Sequence, residues 1–265
     1  MSVKILNPAQ ILGSLAIRFV QEMGGMFMFG LQAFALIFHS PGQAAKIVRQ
    51  IFFIGVKSLF VIVLVGLFTG MVLGFQGYYT LVKFGSEGLL GSAVSLSLIR
   101  ELGPVLTAIM IIGRAGSSMT AEIGVMRITD QIDALEVMDI SPIAFLVSPR
   151  LAASIIVFPL LTAIFDIVGI IGGYLTGVKL LGINSGLYFY RISSSVTMED
   201  VAGGFYKAVL FALLVAIICC YQGYFTHRRR DATGPEGVGN ATTSAVVLSC
   251  VMVLCGDYVL TSFMV

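Results

Sequence analysis

Four charged residues interrupt segments that are otherwise apolar, and they have the clearest capacity for chemistry. Arg100 and Glu101 are adjacent in one apolar segment, Lys207 begins a later one, and Asp257 lies near the end of the last. An unpaired charge inside a membrane is costly, so such residues pair or mark a functional site. Two positive and two negative groups balance, which predicts an intramembrane charge cluster. A purely structural ion-pair network is the open alternative.

Pro104 follows the charged pair and has no backbone N–H group. In a regular helix that N–H would donate to the carbonyl of Arg100, so the carbonyl is left free and the helix is expected to bend or open there. A polar cluster beside a kink can line a cavity. Asp166 is a separate, lone acid in another apolar segment.

The composition places these charges in a membrane protein. Apolar residues make up 57% of the 265 residues and charged residues 11%, and the mean hydropathy is +0.98. That leaves too little polar surface for a water-soluble globule. The formal net charge of +2 gives no electrostatic footprint for a nucleic-acid partner.

Sequence motifs for catalysis are absent. The chain contains no GxxxxGK[ST], HExxH or GxSxG motif and only two histidines, His39 and His227. The four cysteines lie in apolar runs without CxxC spacing, so no metal site is predicted. Catalysis by this chain alone is therefore not expected, and ATP, if it is the energy source, must bind to another polypeptide. No signal-peptide pattern begins the sequence, so Met1 is the expected mature start.

The predicted fold is an all-α integral membrane protein. Five segments are long and apolar enough to cross the hydrocarbon, and they cover 51–75, 92–113, 149–177, 205–226 and 241–264. The N-terminal segment 1–45 contains an apolar stretch interrupted by Arg18, Glu22 and a glycine pair. It is predicted to lie in the membrane interface, with a further crossing as the alternative.

Basic residues are divided unequally between the two ends of these spans. The richer end has Lys46, Arg49, Arg114, Arg127, Arg150 and the run 227–230, and the other end has Lys83, Lys179 and Arg191. The positive-inside rule assigns the richer end to the cytoplasm. Five crossings then predict a cytoplasmic N-terminus and a C-terminus on the outer side.

Two spans have glycines at four-residue spacing. The first span has Gly66, Gly70 and Gly74, and the third has Gly169, Gly173 and Gly177. Each set lines one helix face and lets another backbone approach closely. These faces are predicted to pack tightly, either within one subunit or between subunits.

The stretch between the second and third spans predicts an amphipathic helix over about 121–138. Val125, Ile128, Ile132 and Leu135 recur at helical spacing, and acidic residues occupy positions between them. An anionic inner leaflet would repel this acidic excess. Docking of a protein partner is therefore favoured over a helix that lies passively on the lipid headgroups.

Several long motifs occur together in one order. They are 70–78 (GMVLGFQGY), 100–105 (RELGPV), 113–124 (GRAGSSMTAEIG), 131–138, 148–150 (SPR) and 257–261 (DYVLT). From about residue 45 onward the chain thereby resembles MlaE-type permeases. The resemblance implies an ABC transporter of the maintenance-of-lipid-asymmetry class, which moves phospholipid between the inner and outer membranes of a Gram-negative envelope.

The same resemblance implies partners and a location. Two copies of the permease form the core in the bacterial inner membrane, each contacting a cytoplasmic ATPase dimer that binds ATP and magnesium. A periplasmic hexamer of MCE-domain proteins sits above them. No cofactor is expected in this chain itself.

The resemblance also implies site residues. The lipid is expected near the outer end of the first span, against Leu73, Gln76, Thr80, Leu81 and Phe84, with Arg100 and Glu101 beside it. The helix over 121–138 becomes a coupling helix, with Glu122, Val125, Ile128, Ile132 and Leu135 in contact with the ATPase. The basic loop 227–239 and Asp166 depart from the family pattern.

Two other functional classes remain open at this level. An ion- or proton-coupled secondary carrier would use Glu101 and Asp257 as titrating groups, but the inverted repeat of many carriers is lacking. A passive scaffold for a periplasmic assembly would not need the charge cluster.

Overall fold

The computed structural model describes residues 8–37, 43–228 and 234–264, and every regular element in these ranges is a helix. The main elements are α1 (Pro8–Ile37), α2 (Ala44–Val82), α3 (Glu87–Ile128), α4 (Gln131–Val137), α5 (Ile143–Leu180), α6 (Ser185–Ser195), α7 (Met198–Tyr224) and α8 (Pro235–Met264). The all-α fold class is confirmed. Residues 1–7 and 38–42 of the predicted N-terminal segment and residues 229–230 of the basic run lie outside the described ranges.

Six of the described helices are long and apolar enough to cross a membrane. The five predicted spans fall on α2, α3, α5, α7 and α8, although the fourth runs two residues past the end of α7. The sixth candidate is Val20–Ile37 within α1. Because its length and composition would permit a crossing, the interfacial position of α1 and the orientation of the two termini stay predictions.

The helices alternate in direction, so the two groups of basic residues separate. Arg150 on α5 contacts Glu122 on α3, and Arg127 on α3 contacts His227 beyond α7. Lys83, Lys179 and Arg191 lie by the turns at the opposite end of the bundle. We call the end with Arg127 and Arg150 the basic end; its assignment to the cytoplasm is a prediction.

The two glycine faces pack against each other within the subunit. A Cβ atom added to Gly66 would lie 3.1 Å from the carbonyl oxygen of Phe165, and one added to Gly74 would lie 3.2 Å from the Cα of Gly173. Between them, a Cβ at Gly70 would overlap the carbonyl of Gly169. The constant offset in residue number shows that α2 and α5 run parallel with their backbones in contact. Gly177 instead faces Leu90 of α3.

Five π-helical segments interrupt the long helices of the described chain. They are Phe52–Val56, Leu98–Leu102, Ile112–Gly116, Ile143–Val147 and Leu175–Leu180. Such segments shift the phase of a helix and disturb its hydrogen-bond ladder, and they are frequent at functional sites. Cationic side chains donate to backbone carbonyls in three of them: Arg114 Nη1 to Phe53 at 2.6 Å, Lys207 Nζ to Arg100 at 2.9 Å and Arg150 Nη1 to Leu146 at 2.6 Å.

The predicted single helix over 121–138 is wrong in its continuity. The third helix, α3, continues without a break from the apolar span to Ile128, and α4 is a separate helix of 7 residues. Asp130 between them has a φ of 57°, a left-handed conformation that Asp tolerates better than most residues. The chain therefore turns at Asp130, and the two halves of the predicted apolar stripe face different surroundings.

The short helix α6 is absent from the predicted elements. It begins after Asn184, whose side-chain oxygen accepts hydrogen bonds from the N–H groups of Gly186 and Leu187 at 2.8 and 3.2 Å. Tyr188 is fully buried, and its hydroxyl donates to the carbonyl of Ile170 on α5 at 3.1 Å. This helix therefore closes one end of the bundle rather than forming a loose loop.

We predict that Gly70→Ala destabilises the protein by about 1–3 kcal/mol. The added carbon meets the Gly169 backbone, which cannot rotate away as a side chain would, so α2 and α5 must separate. The thermal midpoint of the purified protein in detergent, followed by the monodisperse fraction on gel filtration, measures the effect. Gly24→Ala is the matched control, since nothing lies within 4 Å of its added carbon; equal midpoints for the two variants would contradict the prediction.

Candidate functional site

Lys207 is the centre of the intramembrane charge cluster. Its residue surface is 2% exposed, and its Nζ donates to Glu101 Oε2 at 2.7 Å, to the Arg100 carbonyl at 2.9 Å and to Thr261 Oγ1 at 2.7 Å. Asp257 Oδ1 lies 3.0 Å from the same nitrogen. Since the ammonium has three N–H groups, Asp257 contributes charge rather than a directed hydrogen bond. One side chain thus joins α3, α7 and α8.

The local sequence prepares this site in two ways. Pro104 supplies no N–H, and the π-helical segment Leu98–Leu102 precedes it, so the Arg100 carbonyl is available to Lys207. Gly204 lies on α7 where a Cβ would press on the carbonyl of Ile99. The absence of that Cβ lets α7 approach α3 closely enough for Lys207 to reach its partners.

Arg100 does not pair with the two acids that contact Lys207. Its Nε donates to Asp200 Oδ1 at 2.6 Å, and the other oxygen of Asp200 accepts from the N–H and the hydroxyl of Thr197, both at 2.9 Å. Asp200 therefore caps α7 and holds Arg100 at the same time. With Asp200 included, the cluster has two cations and three carboxylates. The predicted equal number of positive and negative groups is therefore wrong, because the structure adds one carboxylate.

Sequence reasoning missed Asp200 and Thr197, although a signal exists. A Thr followed three residues later by an acidic residue before an apolar run is typical of a capping box, and the structure has one here. The signal predicts a helix start, but it says nothing about Arg100, which is 100 residues away in the chain.

A cavity of about 420 Å³ opens beside the cluster. The guanidinium-bearing side chain of Arg100 remains 54% exposed at its edge despite the pair with Asp200. The residues that line the cavity are Arg100, Glu101, Thr197, Glu199, Asp200, Gly203, Gly204, Lys207, Thr261 and Met264. The surface is mixed and includes charges of both signs as well as apolar atoms.

The residues predicted to form one lipid cavity are divided between two. A second cavity of about 300 Å³ is lined by Leu73, Gln76, Gly77, Thr80, Leu81, Ala93, Val94 and Ser97. Phe84 lies in the turn after α2, largely exposed, and lines neither cavity. Ser97 faces this second cavity whereas Arg100 and Glu101 face the first, because the π-helical segment Leu98–Leu102, which begins after Ser97 and contains the charged pair, rotates the helix face.

Asp166 lies outside the charge cluster. It packs against Gly103 on α3, where an added Cβ would overlap its Oδ1 atom. That oxygen is shielded from solvent and accepts no hydrogen bond from the described residues. The absence of a side chain at Gly103 thus leaves space for Asp166, which takes no part in the charge cluster.

The predicted coupling residues also separate into different environments. Ile132 and Leu135 are buried at the basic end, in a core with Phe29, Leu146, Val147 and Leu151. Glu122 pairs with Arg150 at 2.7 Å, Val125 is exposed, and Ile128 is half-buried. Because Leu135 is 9% exposed, substituting it would disturb the core rather than test a docking surface.

The exposed part of this region is the tip of α4. Val137 is 88% exposed and Met138 is 60% exposed. Four exposed acidic residues lie near these two in the sequence: Asp130, Asp133, Glu136 and Asp139. We call these six residues the α4 tip. An exposed apolar pair with several acids nearby has the chemistry of a protein docking surface with a basic rim on its partner.

Polar contacts fix the α4 tip to the membrane helices. Arg127 Nη1 pairs with Asp133 at 2.6 Å, and Arg127 Nε donates to His227 Nδ1 at 2.9 Å. Tyr224, at the end of α7, donates from its hydroxyl to Glu136 at 3.3 Å. Movement of the α4 tip would therefore act directly on the ends of α3 and α7, the helices that share the Lys207 cluster.

Known proteins resemble this chain over nearly its whole length. The family described as "Permease MlaE" matches residues 47–263. The chain is 42% identical to the "Intermembrane phospholipid transport system permease protein MlaE" of Haemophilus influenzae, over 98% of each chain. It is also 42% identical to a "Probable ABC transporter permease protein" of Rickettsia felis, over 97% of each.

A more distant relative is a plant protein. The "Protein TRIGALACTOSYLDIACYLGLYCEROL 1, chloroplastic" of Arabidopsis thaliana is 34% identical over 79% of this chain and 58% of its own length. The family match covers more than half of the chain, and the two bacterial relatives align over nearly all of it. This chain belongs to the MlaE permease family.

Proposed function

We propose that this chain is the permease subunit of an ATP-driven transporter that moves phospholipid between the inner and outer membranes and so maintains the lipid asymmetry of the outer membrane. The observation that carries the proposal is the Lys207 cluster beside an open cavity, in a chain that aligns end to end with a phospholipid-transport permease. Membership of this family argues against the secondary carrier.

The two cavities suit the two parts of a phospholipid. Arg100 presents a partly exposed guanidinium at the edge of the first cavity, where it can bind a phosphate group. The second cavity offers Leu73 and Leu81 as apolar wall and Gln76 as one amide. We assign the headgroup to the first cavity and an acyl chain to the second, with helix α3 between them.

The energy comes from a partner in this proposal. A cytoplasmic ATPase dimer, which binds ATP and magnesium, docks on the α4 tip of each of two permease copies. A periplasmic MCE-domain hexamer receives or delivers the lipid at the other end. The contacts of Arg127 and Tyr224 with α4 offer the path by which docking moves α3 and α7.

We predict that Lys207→Met destabilises the protein by about 3–5 kcal/mol, because it leaves Glu101 and Asp257 without their common cation. The neutral triple variant Lys207→Met/Glu101→Gln/Asp257→Asn should recover most of the thermal midpoint, since no buried charge is then unpaired. Transfer of fluorescent phospholipid between vesicles by the reconstituted transporter should nevertheless stay at least tenfold below wild type. A triple variant that is both stable and fully active would show that the cluster is only structural.

We predict that Val137→Asp/Met138→Asp weakens ATPase binding at least tenfold, which corresponds to about 1.4 kcal/mol. The change replaces the apolar centre of the α4 tip with two further acids but leaves the buried Ile132 and Leu135 untouched. Co-purification of the ATPase with tagged permease measures the effect. Val137→Ile/Met138→Leu is the matched control and should retain the ATPase; equal recovery with both variants would place the docking surface elsewhere.

A further inference from the structure

A third cavity lies at the basic end, between α2 and the junction of α3 and α4. Its volume is about 880 Å³, larger than either cavity described above. The residues that line it are Arg49, Gln50, Phe52, Phe53, Lys57, Ser118, Ala121, Glu122, Val125, Met126 and Gln131. The residues that line this cavity belong neither to the Lys207 cluster nor to the α4 tip.

The cavity has an excess of positive charge. Arg49 and Lys57 are exposed at its wall, and no carboxylate of the described residues lies within ion-pair distance of either. The lining acid, Glu122, is already paired with Arg150 Nη2 at 2.7 Å. Lys57 Nζ lies 5.4 Å from the centre of the Phe53 ring. The two free cations stand eight residues apart, two turns of helix, and can act on one anionic group between them.

An apolar stripe leads away from the cavity along α2. Phe52, Val56, Phe60, Leu64 and Phe68 recur every four residues and are all exposed. The stripe begins with Phe52 at the cavity wall and continues into the span. A ligand with a long hydrocarbon chain could lie along it, whereas a soluble anion could not use it.

We propose that this cavity binds a phospholipid of the leaflet at the basic end. Its phosphate lies against Arg49 and Lys57, and one acyl chain follows the α2 stripe. The site is separate from the cavities assigned to the transported lipid and rests on these contacts alone. Its lipid would touch Val125 and Gln131, on both sides of the turn that leads to the α4 tip.

The experiment places p-benzoylphenylalanine at position 52 of the full chain, reconstituted in vesicles of phosphatidylcholine with one-fifth phosphatidylglycerol. After illumination, mass spectrometry of the peptide that contains residue 52 quantifies lipid adducts. We expect phosphatidylglycerol adducts above its share of the vesicle lipid, because phosphatidylglycerol has a net negative charge that Arg49 and Lys57 attract, whereas phosphatidylcholine has no net charge. Arg49→Gln/Lys57→Gln should reduce this adduct on the order of tenfold, and Lys83→Gln/Lys179→Gln, at the other end, should not.

A stability measurement accompanies the charge variant. Arg49→Gln/Lys57→Gln should leave the thermal midpoint within a few degrees of wild type, because both side chains are exposed and neither pairs with a carboxylate of the described residues. Adducts in proportion to vesicle composition, or unaltered by neutralising Arg49 and Lys57, would overturn the proposal. So would displacement of the adduct by millimolar glycerol phosphate, which would indicate a soluble anion, or cross-links from position 52 to a second protein chain instead of lipid.

Discussion

An ammonium group inside an apolar helix bundle must be surrounded by acceptors, and most of the functional architecture follows from how this chain surrounds Lys207. The side chain takes one carboxylate and one carbonyl from α3 and one hydroxyl from α8, with a second carboxylate of α8 close by. Each partner requires a local departure from regular apolar helix. These departures are the π-helical segment before Pro104, the glycine at position 204 and the polar end of α8.

The long contact between α2 and α5 depends on close packing instead of polar contacts. Helices α2 and α5 meet through glycines, with backbone against backbone and no side-chain ion pair between them. Close packing of this kind is short-ranged and tolerates little change in separation. Polar contacts around Lys207 can exchange partners among two carboxylates, a carbonyl and a hydroxyl. A transport cycle that changes the shape of the first cavity would therefore be expected to rearrange the α3–α7–α8 cluster and move α2 and α5 as one body.

The basic end connects these membrane contacts to a surface. Arg127 and Tyr224 tie α4 to α3 and α7, while Ile132 and Leu135 anchor α4 in the core beneath. A short helix that is anchored on one face and exposed on the other can move as a unit when a partner binds, and it then displaces the helices it contacts. The left-handed turn at Asp130 makes this possible, because it separates the direction of α4 from that of the span.

The sequence by itself determined the membrane class, the five apolar spans, the family, and the charged residues that need partners, because hydrophobic length, charge and motif order are local properties of a chain. It also determined that Pro104 would free a carbonyl at Arg100. Only the tertiary structure decided that Lys207 donates a hydrogen bond to this carbonyl, that Arg100 pairs with Asp200, and that the two glycine faces pack against each other. It alone divided the predicted lipid residues between two cavities and buried Leu135 while exposing Val137. Pairing across 100 or more residues and the rotation of a helix face by a π-helical segment depend on how the helices pack, and no local pattern records that packing.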